Sequence, residues 1–335
     1  MKPSRSERTA LLVFAAVGAG TVSTGLLTLS LSHGIVFLMP NNITRRNLLF
    51  SCAGSAAAGQ APGERILDLH QHSPYSGRTD AEMIAHQVRM GIAKTVLLPA
   101  GARYGLAAGA GRNDVCLGLV KKYPGKFVFF ANEGPSPENT RAEIEKYLKL
   151  GAIGIGEQKF PVDADSTHVH LIAQIARDYK VPVLLHFEHN TYNLGFQRFY
   201  RILEKYPTVN FIGHAQTWWG NIDKELAQEV LYPRTRVSAG GITDRYLQDY
   251  ANMYGDMSAG SGLNALLRDE DHARGFLERH QNKLIYGSDC SDAFGEGDRC
   301  SGSKQIETIR RLSPHASVTR KIFWDNGARV LGLRG

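Results

Sequence analysis

The feature that most constrains this chain is a rhythm. From residue 65 onward, short apolar runs alternate with segments of helical period, eight times over. The runs occupy 66–67, 95–98, 127–130, 152–155, 181–185, 209–212, 253–254 and 283–286. Short runs of this kind read as buried strands. Amphipathic segments over 79–90, 112–123, 139–150, 167–179, 196–206, 222–231, 269–280 and 303–312 read as the helices between and after them. Strand–helix alternation with short links implies parallel strands joined by right-handed crossovers. Eight such units in about 270 residues predict a single (β/α)8 TIM barrel. A doubly wound open sheet is the alternative. It is disfavoured because no Gly-rich phosphate loop follows any run, whereas polar residues follow many of them.

Charge separates the first sixty residues from the rest. The whole chain carries +7, a balance that would ordinarily raise nucleic acid or an anionic membrane as a partner. Residues 1–61 hold five basic side chains and one acid, so residues 62–335 carry only +3 and contain no Lys/Arg-rich run. Nucleic-acid binding loses its support. Within the first segment, residues 10–39 include one ionisable side chain, His33, and are long enough to cross a bilayer, although rich in Gly, Ser and Thr. Thr44-Arg45-Arg46-Asn47-Leu48-Leu49, followed by small residues to Ala61, resembles a bacterial twin-arginine export signal. The expectation is a leader over 1–61, with translation starting at Met39, recognition by the twin-arginine export machinery and a periplasmic destination. A membrane anchor over 10–39 is the alternative. Residues 62–335 form the catalytic domain. Cys290 and Cys300, ten apart, would allow a disulfide in an oxidising compartment, and spacing alone does not require one.

In a barrel of this type the C-terminal ends of the strands face one mouth, where active sites are built. The first run leads into Asp68-Leu69-His70-Gln71-His72, and residues two apart in a strand share a face, so His70 and His72 point the same way. Two imidazoles on one face suit a divalent metal. The fourth run ends in Gly156-Glu157-Gln158-Lys159, the fifth in His186, the sixth in Gly213-His214 and the eighth in Gly287-Ser288-Asp289. Any one of these is unremarkable. Their joint delivery of His, carboxylate and Lys to one rim predicts a metal site.

These residues resemble the amidohydrolase superfamily: His70-x-His72, His186, His214 and Asp289 at the ends of strands one, five, six and eight. Asp256-Met257-Ser258-Ala259-Gly260-Ser261-Gly262, Tyr286-Gly287-Ser288-Asp289 and Asp325-Asn326-Gly327-Ala328-Arg329 are similar to its amidohydrolase-related (family 2) branch. The resemblance spans Glu64 to Leu333. It implies His70, His72, His186 and Asp289 as ligands of one Zn2+, with Asp289 also the base for water and His214 polarising water or substrate. Gly154-Ile155-Gly156-Glu157 resembles the fourth-strand glutamate of TatD-type nucleases, which would add a second metal. The competing reading makes Glu157 and Lys159 an ion pair or substrate contact, and one metal is the expectation.

The function expected is hydrolysis of a lactone, ester or amide in a small molecule. The alternative is a metal-dependent decarboxylase acting on an unsaturated acid with the same ligands. A third reading, a non-catalytic exported binding barrel, is disfavoured because every ligand type is present. Arg103, Lys159 and Trp218 are the candidate substrate contacts, Trp218 as an apolar wall or as packing under a loop. The sequence allows a homo-oligomer and does not determine one.

Overall fold

The structure, a computed structural model, describes residues 64–101, 109–136 and 138–333. The expected leader and Arg103 lie outside the described residues. The first half of the chain runs β1 (Ile66–Gln71), α1 (Asp80–Arg89), β2 (Ile92–Leu97), α2 (Asn113–Lys122), β3 (Phe127–Phe129), α3 (Thr140–Lys149), β4 (Ile155–Gln158) and α4 (Thr167–Tyr179). It continues with β5 (Val183–His186), α5 (Tyr200–Lys205), β6 (Phe211–His214), α6 (Ala215–Gly220), α7 (Ile242–Asp249), β7 (Met253–Asp256), α8 (Ala259–Leu267), α9 (Glu270–Arg279) and β8 (Leu284–Ile285). Helices α10 (Ser301–Leu312), α11 (Ala316–Arg320) and α12 (Asn326–Val330) close the chain. No helix among the described residues is long and apolar enough to cross a membrane.

All strand pairs are parallel, in two sheets of order β1-β2-β3 and β4-β5-β6-β7-β8. Backbone hydrogen bonds link the sheets at both ends. Ala131 N donates to Gly154 O and Gly156 N to Ala131 O, each at 2.9 Å, while Leu69 N donates to Tyr286 O at 3.1 Å.

Strand alternation sorts the core. Val183, Leu185, Phe211 and Met253 face the helices and join the larger apolar cluster. Leu184, Ile212 and Tyr254 face the other way and pack with Leu67, Val96, Phe130 and Ile285 in a second cluster. Trp324 and Val330 join that second cluster. Local chemistry starts the helices where the pattern predicts. At α1 the Thr79 hydroxyl accepts from Glu82 N while the Glu82 carboxylate accepts from Thr79 N, a reciprocal cap.

The structure departs from the sequence pattern in several places, and it adds helices α6, α7 and α8 that the pattern did not predict. The fourth strand begins at Ile155 rather than Ala152, which puts Glu157 and Gln158 inside it. The helix expected over 222–231 is a loop, because Asp223 Oδ1 accepts from both Glu225 N and Ser238 N and so draws its own backbone into turns. The segment 196–206 splits into a 3-10 turn, Phe196–Arg198, and α5.

Helices α7 and α9 are tied by Asp244. His280 Nε2 donates to its carboxylate at 2.5 Å and Arg279 Nη2 at 3.2 Å. Burial pushes this carboxyl up, but the His280 hydrogen bond and the Arg279 charge outweigh it and hold the pKa at about 2. A carboxyl depressed in the folded state stabilises above its unfolded pKa and loses that contribution as pH falls. Asp244→Ala should therefore lower the unfolding free energy by about 2 kcal/mol at neutral pH. The difference from wild type should vanish as pH falls from about 4 to about 2, as read from urea unfolding curves.

Candidate metal centre

The two-residue alternation that buries Leu184, Ile212 and Tyr254 carries His186, His214 and Asp256 onto the same face, one step nearer the C-terminal ends of β5, β6 and β7. His186 and His214 pair directly in the parallel register. His70 lies in β1, His72 just after it, Glu157 in β4 and Asp289 four residues beyond β8. All but Asp289 are buried, and its side chain is 14% exposed.

Hydrogen-bond partners fix how the first two histidines present themselves. His70 Nδ1 lies 2.7 Å from Asp256 Oδ2, and His72 Nδ1 lies 2.8 Å from the carbonyl of Leu98. Each partner only accepts, so each Nδ1 carries a proton and each neutral ring offers a lone pair at Nε2. Those two Nε2 atoms face one another at 3.1 Å. Two lone pairs so placed need a proton or a metal cation between them. Glu157 Oε2 lies 3.7 and 3.6 Å from them, and Asp289 Oδ1 3.8 and 3.6 Å. Donors about 2.1 Å from one tetrahedral ion stand about 3.4 Å apart. The donor atoms of His70, His72 and Asp289 lie within 4.8 Å of one another, as do those of His70, Glu157 and His214, so either trio could hold a metal.

Electrostatics points the same way. Burial works against charge on His70, yet Asp289 and Asp256 outweigh it and hold its pKa well above the usual histidine value. Burial and the neighbouring His70 push His72 down to about 4. Burial also raises Glu157, but His186, His70 and Lys159 reverse the effect and hold its carboxyl well below the usual range. The centre is a buried cluster of carboxylates that draws in positive charge.

Glu157 turns its other oxygen to a second pair of imidazoles. Oε1 is 2.6 Å from His186 Nδ1 and 3.7 Å from His214 Nε2. His186 Nε2 in turn donates to Glu188 Oε2 at 3.0 Å. His186 is thus brought to Glu157 rather than to the His70/His72 pair, while His214 also faces Asp289 Oδ2 at 3.7 Å. Lys159 Nζ lies over the Tyr192 ring at 5.4 Å, and Glu157, Asp289 and Glu188 raise its pKa against the effect of burial.

Asp256 organises both histidine sets. Its Oδ2 accepts from His70 Nδ1, and His214 Nδ1 approaches the same oxygen at 3.2 Å. The Ser258 hydroxyl donates to that oxygen at 2.9 Å and so accepts from His214 Nδ1 at 3.0 Å. His214 therefore also keeps its proton on Nδ1 and offers a lone pair at Nε2. The close approach requires glycine at 287, where a Cβ would lie 2.5 Å from Asp256 Oδ1 and 3.0 Å from His70 Cβ.

Other sequence candidates fall elsewhere. Trp218 is fully buried, nearly parallel to Phe187 with ring centroids 6.4 Å apart and edge-on to Phe196, so it packs the core beneath Gly213. His168 is buried and bonds Gln158 Oε1 at 2.8 Å. Tyr75 goes unmarked in the sequence, yet its hydroxyl donates to Asp289 Oδ1 at 2.8 Å. A pocket of 390 Å³ opens beside Glu188 and is lined by His189, Asn193, Phe196, Gln197 and Thr217, a size suited to a small molecule.

A family model described as amidohydrolase matches residues 89–333. The chain belongs to the amidohydrolase-2 family. That family is metal-dependent, and the buried His, Glu and Asp groups found here could hold a metal. No curated protein matches the sequence. Among solved structures, this chain is similar to an uncharacterised TIM-barrel protein from Bordetella bronchiseptica, at 15% identity and TM-score 0.58, covering 80% of this chain and 98% of that one. It is similar to a probable 2-pyrone-4,6-dicarboxylic acid hydrolase from Acinetobacter baumannii, at 13% identity and TM-score 0.53, covering 80% and 99%. It is also similar to 5-carboxyvanillate decarboxylase from Sphingomonas paucimobilis, at 13% identity and TM-score 0.50, covering 77% and 84%. At such identities the likeness is one of fold. The family match begins within α1, so His70 and His72 lie before it, and the place of this pair in the centre rests on the geometry above.

If Asp256 sets the tautomers of His70 and His214, Asp256→Asn should weaken metal retention about 10–100-fold in chelator competition while the circular dichroism of the fold persists.

Proposed function

We propose that this amidohydrolase-family protein is a metal-dependent hydrolase that attacks a C–O or C–N bond of a small molecule, such as a lactone, ester or amide. The two linked parallel sheets are read as one eight-stranded barrel, with the centre at its C-terminal mouth. One observation carries the reading. Asp289 is the carboxylate that reaches solvent while facing both the His70/His72 pair, through Oδ1, and His214, through Oδ2.

His70, His72, Asp289 and Glu157 Oε2 would hold one metal, probed first as Zn2+. A second would require His186 Nδ1, hydrogen-bonded to Glu157 Oε1 at 2.6 Å, to give up that proton and join His214 Nε2 and Glu157 Oε1. A bound divalent cation acidifies water and polarises the bond under attack. Asp289 takes the proton from the attacking water and returns it to the leaving oxygen or nitrogen. Tyr75 donates to Oδ1 and keeps that carboxylate turned into the centre. Glu188 holds His186 by its Nε2–H, which leaves Nδ1 directed at Glu157. Lys159, whose charge interacts with Glu157 and Asp289, would receive a carbonyl or carboxylate of the substrate. Glu157 would be the shared ligand of a two-metal centre, since its two oxygens face different imidazole pairs; with one metal, the expectation from the sequence, it would bind through Oε2 alone. Decarboxylation remains the second reading, since a fold neighbour is a decarboxylase.

Two measurements test this. The histidine–carboxylate centre should hold two equivalents of Zn2+ per chain, counted as those that Asp256→Asn weakens, and Glu157→Gln should lose at least one of them. In a panel of lactones, esters and amides, turnover should place solvent 18O in the product and stop in Asp289→Asn. Release of CO2 from an unsaturated acid without 18O uptake would establish the lyase instead.

A further inference from the structure

A second group of metal-ligating side chains lies outside the centre and shares no donor with it. We propose that His86, Cys290 and Cys300, with Met90 as a weak fourth donor, form a binding site for a thiophilic divalent cation such as Zn2+. The four residues come from three elements. His86 is in α1 and Met90 follows its last turn, Cys290 lies in the loop after β8, and Cys300 caps the N-terminus of α10.

The donor atoms converge. Cys290 Sγ and Cys300 Sγ are 3.7 Å apart, and Cys300 Sγ is 3.4 Å from His86 Nε2 and 3.7 Å from Met90 Sδ. The ligand atoms of the two cysteines and the histidine all lie within 4.8 Å of one another. A tetrahedral Zn2+ with sulfur at about 2.3 Å and nitrogen at about 2.1 Å would set S···S near 3.8 Å and S···N near 3.6 Å. The observed spacings match that frame. Both cysteines are free, so the sulfurs are available as ligands.

Burial and charge are consistent with occupancy by a cation. His86 and Cys300 are fully buried, Cys290 is 3% exposed and Met90 7%. Binding a divalent ion displaces one proton from each thiol, and two thiolates then neutralise the ion, so the filled site carries no net charge into the interior. Cys300 Sγ already accepts from Ser303 N at 3.3 Å, at the start of a twelve-residue helix whose N-terminal amides favour a thiolate. His86 Nδ1 has no hydrogen-bond partner among the described residues, so the contact with sulfur is what orients the ring. A cavity of 110 Å³ lined by Arg89, Met90, Gly297 and Ser303 lies on the Met90 side of the cluster. The site would pin the segment that follows Asp289, since Cys290 is the next residue and its carbonyl is held by Arg78 and Gln71.

Cobalt separates this site from the histidine–carboxylate centre, because only thiolate ligands give an intense near-ultraviolet charge-transfer band with Co2+. The full-length protein loaded with Co2+ alone should show that band. Cys290→Ser and Cys300→Ser should each abolish it and lose one equivalent of metal, while the equivalents held by the histidines and carboxylates remain. Should either serine variant fail to fold, His86→Gln and the wild-type protein give a second test. His86→Gln should weaken the band, and Zn2+ should protect both wild-type thiols from alkylation until a chelator is added. The proposal is overturned if wild type shows no thiolate band, if the thiols alkylate equally with and without Zn2+, or if mass spectrometry finds Cys290 and Cys300 joined as a disulfide.

Discussion

The arrangement depends on burying Glu157. A carboxylate set inside a strand and 2% exposed has lost its hydration, and the surrounding residues must replace it with positive charge or with donors. Here four imidazoles and Lys159 gather round it, and one carboxylate oxygen is turned to each histidine pair. Both pairs lie on the same protein face because parallel strands in register bring equivalent residues side by side, as His186 and His214 show.

Around this core a second layer of side chains holds the first in place. Asp256 and Ser258 hold the rings of His70 and His214. Asp68 receives His70 N, Ser288 N, Gln87 Nε2 and the Ser288 hydroxyl, which fixes the backbone on both sides of the centre. Burial raises the Asp68 carboxyl, and the four hydrogen bonds oppose that without cancelling it. Asn132 spans the carbonyls of Pro99 and Glu157 and is itself held by Gln158, which bonds His168. Such contacts cost conformational freedom in return for ligand geometry that needs little rearrangement when a cation arrives.

Much of this was legible in the chain itself. Strand ends stand out because an apolar run must stop where the chain leaves the core, so His70, His72, His186, His214 and Asp289 could be picked out from their position at or just after apolar runs. What position could not reveal was direction. Glu157 follows an apolar run in sequence, but the hydrogen bonds between 129–131 and 153–156 carry the chain further before β4 begins and place the glutamate within the strand. The role of Asp256 depends on His70, 186 residues away, and on His214, and no local pattern encodes contacts of that span. Trp218 was ambiguous for a different reason, since an aromatic residue just after a site histidine suits a pocket wall and a core equally well. The helix expected over 222–231 failed because Asp223 offered its own backbone a competing set of hydrogen bonds.

The shortness of β8 has a mechanical consequence. Only Leu284 and Ile285 are strand there, and few backbone bonds join this edge to β1. The donors on the two sides of that junction are His70 and His72 on one and Asp289 on the other. A cation shared among them would act as a clasp across the least-stitched seam, and its binding free energy would add to the cohesion of the whole domain. Loss of metal would then be felt first as breathing of this edge, before any change in the distant helices.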